Sequence, residues 1–138
     1  MTGTLFVVGT PIGNLEDITQ RALRVLAQAD LIVAEDTRHT KKLLSHFSLQ
    51  KPLLSFHKFS SEQSINKILT LLNEGKQVAY VTDAGTPAIS DPGAYLVQKA
   101  LEAGMSVVPI PGVSALTTLL SIAGIPTDRF RFVGFFPK

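Results

Sequence analysis

The chain has 138 residues, of which 45% are hydrophobic and 17% charged, with 13 Lys and Arg against 11 Asp and Glu. This composition excludes a disordered chain, and the length suits one domain with a hydrophobic core. The absence of cysteine excludes a disulfide framework, a thiolate nucleophile and a zinc site built on cysteine. It fits a reducing compartment, so we expect a cytoplasmic protein. No apolar run approaches the roughly 20 residues of a membrane span, and no membrane partner is expected.

Five short apolar runs alternate with segments of helical periodicity. The runs cover residues 5–8, 31–34, 52–56, 78–81 and 106–110. Apolar residues at helical spacing predict helices after the first, third and fourth runs, and a last helix over residues 113–123. The alternation predicts a three-layer α/β/α fold, in which helices cover both faces of a five-stranded parallel sheet.

Three loops rich in glycine and proline follow predicted strands, at residues 9–14, 83–93 and 109–115. Ligands of open parallel sheets bind beyond the carboxyl ends of the strands, and small residues let a ligand approach the backbone. The first loop has the pattern G-x-x-x-G, so it is neither a dinucleotide fingerprint nor a P-loop. The loops predict a ligand cradle, with the alternative that their glycines only form tight turns between strand and helix.

Acidic residues and one histidine follow the second and third predicted strands. Glu35 and Asp36 are placed for substrate contact or general-base work, although Asp36 or Thr37 could instead cap the next helix. Asp91 is most simply a helix N-cap. His57 has no second ligand candidate at a defined spacing, so no metal site is predicted.

The segment from residue 37 to residue 61 contains no Asp or Glu. It carries all three histidines and the cations Arg38, Lys41, Lys42, Lys51 and Lys58. This pattern indicates a contact surface for a phosphate-bearing substrate, with a solvated helix face as the alternative.

Aromatic residues mark two further features. Phe56 and Phe59 are candidates for stacking on a nucleic-acid base, or else core residues. Four of the eight phenylalanines lie between residues 130 and 136, in an apolar segment that needs a packing partner. We therefore expect the natural protein to continue past Lys138.

Five segments, taken together, resemble the tetrapyrrole methylase superfamily. They are residues 9–15, 34–38, 81–93, 111–116 and 132–137, of which the third is the longest and most specific. The resemblance covers the whole chain in order, and it is strongest to the branch that methylates small-subunit ribosomal RNA.

The resemblance implies a methyltransferase that uses S-adenosyl-L-methionine, built from two α/β domains and acting as a homodimer. Residues 1–125 would form the amino-terminal domain that binds this cofactor, and residues 126–138 would begin the connection to a carboxyl-terminal domain. The implied reaction is 2′-O-ribose methylation of a decoding-centre cytidine in 16S ribosomal RNA, on the free RNA or the small ribosomal subunit. The alternatives are a methyltransferase acting on a tetrapyrrole precursor and a non-catalytic nucleotide-binding module.

The family's site residues are transferred by motif. The resemblance places the cofactor against Pro11, Asp83, Ala84, Gly85, Thr86, Ile89, Ser90, Ser114 and Ala115. The superfamily often has Gly-Asp-Pro where this chain has Gly85-Thr86-Pro87, so Asp83 is the expected source of the carboxylate. A base for the ribose hydroxyl is sought among Glu35, Asp36 and His57. The RNA would lie against Arg38, Lys41, Lys42 and Lys58.

Overall fold

The computed structural model describes residues 1–58, 60 and 62–137. Its strands are β1 (Thr4–Val8), β2 (Leu31–Ala34), β3 (Leu53–Ser55), β4 (Gln77–Val81) and β5 (Ser106–Ile110). Its helices are α1 (Gln20–Gln28), α2 (Thr37–His46), α3 (Glu62–Asn73), α4 (Gly93–Glu102) and α5 (Ala115–Ser121), with a short 3-10 helix at Leu15–Asp17. No helix in this part of the chain is long and apolar enough to cross a membrane.

All five strands are parallel, in the order β3-β2-β4-β1-β5. The predicted five-stranded parallel sheet is therefore confirmed. β4 lies at its centre, and its successive side chains enter two different cores. Val78 and Tyr80 pack on the face that α3 and α4 cover, whereas Ala79 and Val81 pack on the face of α1 and α2. Burial on both faces explains why the strand appears as an unbroken apolar run rather than an alternating one.

Two helices begin later than the apolar spacing alone indicates, because polar side chains cap them. The hydroxyl of Thr19 accepts the N–H of Ala22 at 2.9 Å and starts α1 at Gln20, so Glu16 and Asp17 fall in the separate 3-10 helix. The hydroxyl of Ser114 accepts the N–H of Thr117, and α5 begins after it instead of at residue 113. The spacing of apolar residues does not show where a helix starts, because a side-chain hydrogen bond to the backbone sets the first residue.

The sheet order places β1 between β4 and β5, which brings the three glycine- and proline-rich loops together. Thr10 and Gly85 exchange two backbone hydrogen bonds, of 3.0 and 2.9 Å. The hydroxyl of Thr86 donates to the carbonyl of Val113 at 3.0 Å. The loops after β1 and β5 also touch, since a Cβ placed on Gly9 would lie 3.0 Å from the Cα of Gly112. The predicted convergence of these loops at one edge is confirmed.

This close approach makes Gly9→Ala a test of the loop arrangement. The added methyl group would push the loops after β1 and β5 apart, at a cost of about 1–3 kcal/mol for overpacking. Replacing glycine also restricts the unfolded chain, which stabilises by about 0.4–1 kcal/mol. We expect a net loss of stability, measured by urea unfolding, and an unchanged or raised midpoint would contradict the contact.

Candidate functional site

Two hollows open at the carboxyl edge of the sheet, on either side of the loop after β4. The larger hollow encloses about 870 Å³ and is lined from β2, from the loops after β3 and β4, from α4 and from the last residues, by Glu35, Lys58, Thr82, Asp83, Ala84, Thr86, Ala88, Ile89, Ser90, Asp91, Pro92, Ala94 and Phe135. The smaller hollow encloses about 380 Å³ and is lined by Thr10, Pro11, Ile12, Gly13, Leu15, His39, Lys42, Leu43, Asp83 and Ala84. Asp83 and Ala84 belong to both, so they form the shared boundary.

The structure divides the nine residues predicted to hold the cofactor. The larger hollow takes Asp83, Ala84, Thr86, Ile89 and Ser90. Pro11 lines the smaller hollow, and Gly85 is buried in its pairing with Thr10. Ser114 and Ala115 line neither hollow, because they form the start of α5. Their contact with the cofactor stays a prediction.

The loop from β4 to α4 contains an unusual backbone. Ala88 and Ser90 both adopt left-handed conformations, with φ of 69° and 58°, although neither is glycine. Side chains with a Cβ adopt this region at a cost, and such strain is concentrated at functional sites. Both residues line the larger hollow, which makes this loop the first place to look for a ligand contact.

Asp91 and Tyr80 hold that loop in place. One carboxylate oxygen of Asp91 accepts the N–H of Gly93 at 2.7 Å and the hydroxyl of Tyr80 at 3.2 Å. Asp91 thus caps α4 as predicted, but from one residue before the assigned N-cap, Pro92. A Cβ on Gly93 would overlap the Tyr80 ring, so glycine is required where the helix crosses the strand. Burial raises the pKa of the Tyr80 hydroxyl, and the charge of Asp91 adds to the effect.

Glu35 is the predicted base that lies in the larger hollow. Burial raises the pKa of its carboxyl group above the usual value, and the negative charges of Asp83, Asp91 and Asp36 raise it further. The charge of His57 acts in the opposite direction. A cluster of carboxylates thus lies at the carboxyl ends of β2 and β4. Its negative charge would attract a cationic ligand to this hollow.

The other two predicted bases have backbone roles in the structure. Asp36 is the N-cap of α2, since its Oδ1 accepts the N–H groups of Arg38 and His39 at 2.9 and 3.4 Å. The capping alternative is therefore the one that the structure shows for Asp36. The N–H of His57 donates to the hydroxyl of Ser60 at 2.8 Å. A catalytic role for either residue stays a prediction.

The predicted RNA contacts fall in two places. Arg38, Lys41 and Lys42 line a shallow depression on α2 together with Ser45 and His46. Lys58 is separate from them, because it follows β3 and lines the larger hollow. Lys42 reaches both the depression and the smaller hollow.

Sequence reasoning assigned no individual role to six residues of the smaller hollow. They are Thr10, Ile12 and Gly13 from the loop after β1, Leu15 from the 3-10 helix, and His39 and Leu43 from α2. The helical spacing of residues 39, 42 and 43 places them on one face of α2. This spacing is the sequence pattern that could have indicated that His39 and Leu43 lie beside Lys42. Phe56 is 2% exposed and packs edge-on against Tyr80, so its core alternative is correct. Phe59 lies outside the described residues.

No group of three His, Asp or Glu side chains that could hold a metal ion is found among residues 1–58, 60 and 62–137.

The raised pKa of Glu35 predicts a pH-dependent cost to stability. Because folding disfavours its ionised form, Glu35 destabilises the protein above its folded pKa, and this cost disappears below about pH 4.5, the ordinary pKa of a glutamate. Glu35→Gln should therefore raise the free energy of unfolding at pH 7, with a gain that shrinks as the pH falls. Chemical denaturation across this pH range measures it.

Glu74→Gln is the matched control, because Glu74 is exposed and lines neither hollow. A loss of stability at pH 7 in Glu35→Gln, relative to the wild type and this control, would contradict the electrostatic environment described for Glu35.

Comparisons with known proteins address the family of the chain. The family model described as "Tetrapyrrole (Corrin/Porphyrin) Methylases" matches residues 4–136. The chain is 51% identical to ribosomal RNA small subunit methyltransferase I of Pasteurella multocida, over 99% of this chain and 49% of that protein. It is 54% identical to the protein of the same name from Thermotoga maritima, over 99% of this chain and 61% of that one. The chain thus spans about half to three fifths of the length of these relatives.

A solved structure shares the fold. Uroporphyrin-III-C-methyltransferase from Thermus thermophilus superposes with a TM-score of 0.68 and is 27% identical, over 91% of this chain and 55% of that one. The family match covers nearly every residue, including all three loops and both hollows. The chain therefore belongs to the tetrapyrrole methylase family.

Proposed function

We propose that this chain is the cofactor-binding part of an S-adenosyl-L-methionine-dependent methyltransferase. Its acceptor is the ribose 2′-hydroxyl of a decoding-centre cytidine in 16S ribosomal RNA. The relatives with 51% and 54% identity are both ribosomal RNA small subunit methyltransferase I, which supports the substrate class. Because the chain covers only part of those relatives, the proposal concerns the full-length protein, acting as a cytoplasmic homodimer on the small ribosomal subunit.

The observation that carries the proposal is the meeting of the three loops at the carboxyl edge of the sheet, where the loop after β4 lines the larger hollow. The loops after β1, β4 and β5 are joined by the Thr10–Gly85 backbone pair and by the hydrogen bond from Thr86 to Val113. Such convergence at the carboxyl edge of a parallel sheet is the usual position of a ligand site. The larger hollow, at about 870 Å³, is within the about 300–1,000 Å³ of typical small-molecule sites.

The residues present fit the cofactor's chemistry. S-adenosyl-L-methionine carries a sulfonium cation, an amine and two ribose hydroxyls, all of which a carboxylate can bind. Glu35, Asp83 and Asp91 line the larger hollow, and Thr86 and Ser90 supply hydroxyl groups there. We assign Asp83 to the cofactor, because Asp91 already accepts two hydrogen bonds from the protein.

When bound, the cofactor supplies an electrophilic methyl group. The chain's own residues must then orient the acceptor oxygen, remove its proton and exclude water. Glu35 is our proposed base, because its raised pKa makes its carboxylate a stronger proton acceptor than an exposed one. General-base assistance of this kind contributes about 10²–10⁴-fold to rate.

A tetrapyrrole precursor is the second candidate acceptor. The structural match to uroporphyrin-III-C-methyltransferase favours this acceptor, but that enzyme is only 27% identical to the chain. The ribosomal RNA enzymes are 51% and 54% identical to it. The depression lined by Arg38, Lys41 and Lys42 suits RNA phosphates and also the carboxylates of a tetrapyrrole. The higher sequence identity therefore favours ribosomal RNA as the acceptor.

A direct transfer assay tests the proposal. The full-length protein is incubated with methyl-labelled S-adenosyl-L-methionine and either unmethylated small ribosomal subunits or a porphyrinogen. We expect label in 16S ribosomal RNA, recovered as 2′-O-methylcytidine after nuclease digestion. Label in the porphyrinogen alone would favour the second candidate, and label in neither would leave a non-catalytic binding module.

Tyr80→Phe tests the support of the strained loop. The change keeps the buried ring but removes the hydroxyl that donates to Asp91. A hydrogen bond to a charged group is worth about 1.5–3 kcal/mol, so looser positioning should weaken cofactor binding by about tenfold in calorimetry. Circular dichroism should show an unchanged fold.

Tyr95→Phe is the matched control, since the Tyr95 hydroxyl also donates to a carboxylate, Glu62, at 2.7 Å but lines neither hollow. Equal effects of the two changes on cofactor affinity would remove the positioning role of Tyr80.

The basic depression on α2 predicts a salt-dependent RNA affinity. Replacing Arg38, Lys41 and Lys42 with glutamine should reduce the slope of log affinity against log salt by about 2, at about 0.7 per phosphate contact on single-stranded RNA. Fluorescence anisotropy with a labelled RNA oligonucleotide measures the slope. Lys67→Gln on α3 is the control, and an unaltered slope in the triple variant would identify the depression as an ordinary solvated face.

A further inference from the structure

We infer that the smaller hollow receives the acceptor nucleoside of the RNA and that Lys42 contacts the phosphate at its entrance. The ribose would then meet the methyl group at the boundary formed by Asp83 and Ala84. This inference rests on the proposed function and adds the location of the acceptor.

The first argument is the geometry of methyl transfer. The acceptor oxygen forms a bond to the methyl carbon while the carbon–sulfur bond breaks and its electron pair stays on sulfur. The hydroxyl proton passes to the Glu35 carboxylate. Because the oxygen must approach opposite the sulfur, donor and acceptor belong on two sides of one boundary. The two hollows lie on opposite sides of the loop after β4, and the only lining residues that they share are Asp83 and Ala84.

The second argument is the lining of the smaller hollow. Ile12, Leu15 and Leu43 offer apolar surfaces to the faces of a nucleobase. Pro11 lies beside them, so this inference moves it from the cofactor to the acceptor. His39 and Asp83 offer polar atoms to its edges. Enzymes that do chemistry on a base hold it outside the stack in a pocket with apolar walls and polar groups at its edges. We infer that the base of the acceptor nucleotide is held in the same way, which fixes the position of its ribose.

The third argument is the separation of charge between the two hollows. The larger one contains the carboxylates of Glu35, Asp83 and Asp91, which attract a sulfonium and repel phosphate. The smaller one adjoins the depression of Arg38, Lys41 and His46, and Lys42 lines both. Residues 37–61 contain no acidic side chain. A basic path therefore leads along α2 to the entrance of the smaller hollow, whose one carboxylate is the shared Asp83, whereas Lys58 in the larger hollow is accompanied by three carboxylates.

Two isoleucines allow a reciprocal test. Ile12 lines the smaller hollow and Ile89 the larger, and both are partly exposed, at 37% and 59%. Each is replaced by tryptophan to fill its hollow in the full-length protein. Cofactor affinity is measured by calorimetry, and methylation kinetics are measured with unmethylated small ribosomal subunits.

We expect Ile12→Trp to lower kcat/KM for the subunits by at least about tenfold while the Kd of the cofactor changes by less than about twofold. Ile89→Trp should instead raise the Kd of the cofactor. If Ile12→Trp weakens cofactor binding as Ile89→Trp does, or methylates at the wild-type rate, the inference is wrong. Absence of transfer by the wild type would overturn the proposed function itself, which is a distinct result.

A second pair of variants keeps the test decisive if the tryptophan disturbs folding. Lys42→Gln should raise KM for the subunits with an unchanged Kd for the cofactor. Lys67→Gln, on α3 and outside both hollows, should behave as the wild type. Equal KM values for these two variants would contradict the contact of Lys42 with the RNA.

Discussion

The exchange of two backbone hydrogen bonds between Thr10 and Gly85 is the contact on which the site depends. It joins loops that are 75 positions apart in the chain, and each bond contributes about 1 kcal/mol. Together with the approach of Gly9 to Gly112, it closes the space between the ends of β1, β4 and β5. Asp83 and Ala84 are thereby held as a wall with an open hollow on each side.

The two hollows differ in charge because different helices border them. α2 brings His39 and Lys42 to one side, and β2 and the loop before α4 bring Glu35 and Asp91 to the other. A raised pKa at Glu35 and left-handed backbone at Ala88 and Ser90 both cost stability. Such costs persist where the surrounding structure supports them, and here the buried hydroxyl of Tyr80 and the cap at Gly93 hold Asp91 at the end of the strained loop.

Prediction from the sequence succeeded where one local pattern has one structural solution. Continuous apolar runs predict strands of a covered parallel sheet, and all five were found in order, including the partly exposed edge strands β3 and β5. It was less complete where one side chain has two uses. Asp36 suits both a base and a cap, and the structure shows the cap. Phe56 suits both stacking and the core, and it is buried. Lys58 appears beside the basic residues of α2 in the sequence but lies in the other hollow.

By itself, the sequence determined the class of fold, the order of its elements, the three loops that meet at the site and, through their motifs, the family. These properties depend on residues that are close together in the chain. Only the tertiary structure decided that two hollows rather than one open beside these loops, and that His39, Ile12 and Leu43 share a wall with Asp83. The reason is physical: which side of a central strand a helix covers depends on the packing of the whole sheet, and no local spacing of residues encodes it.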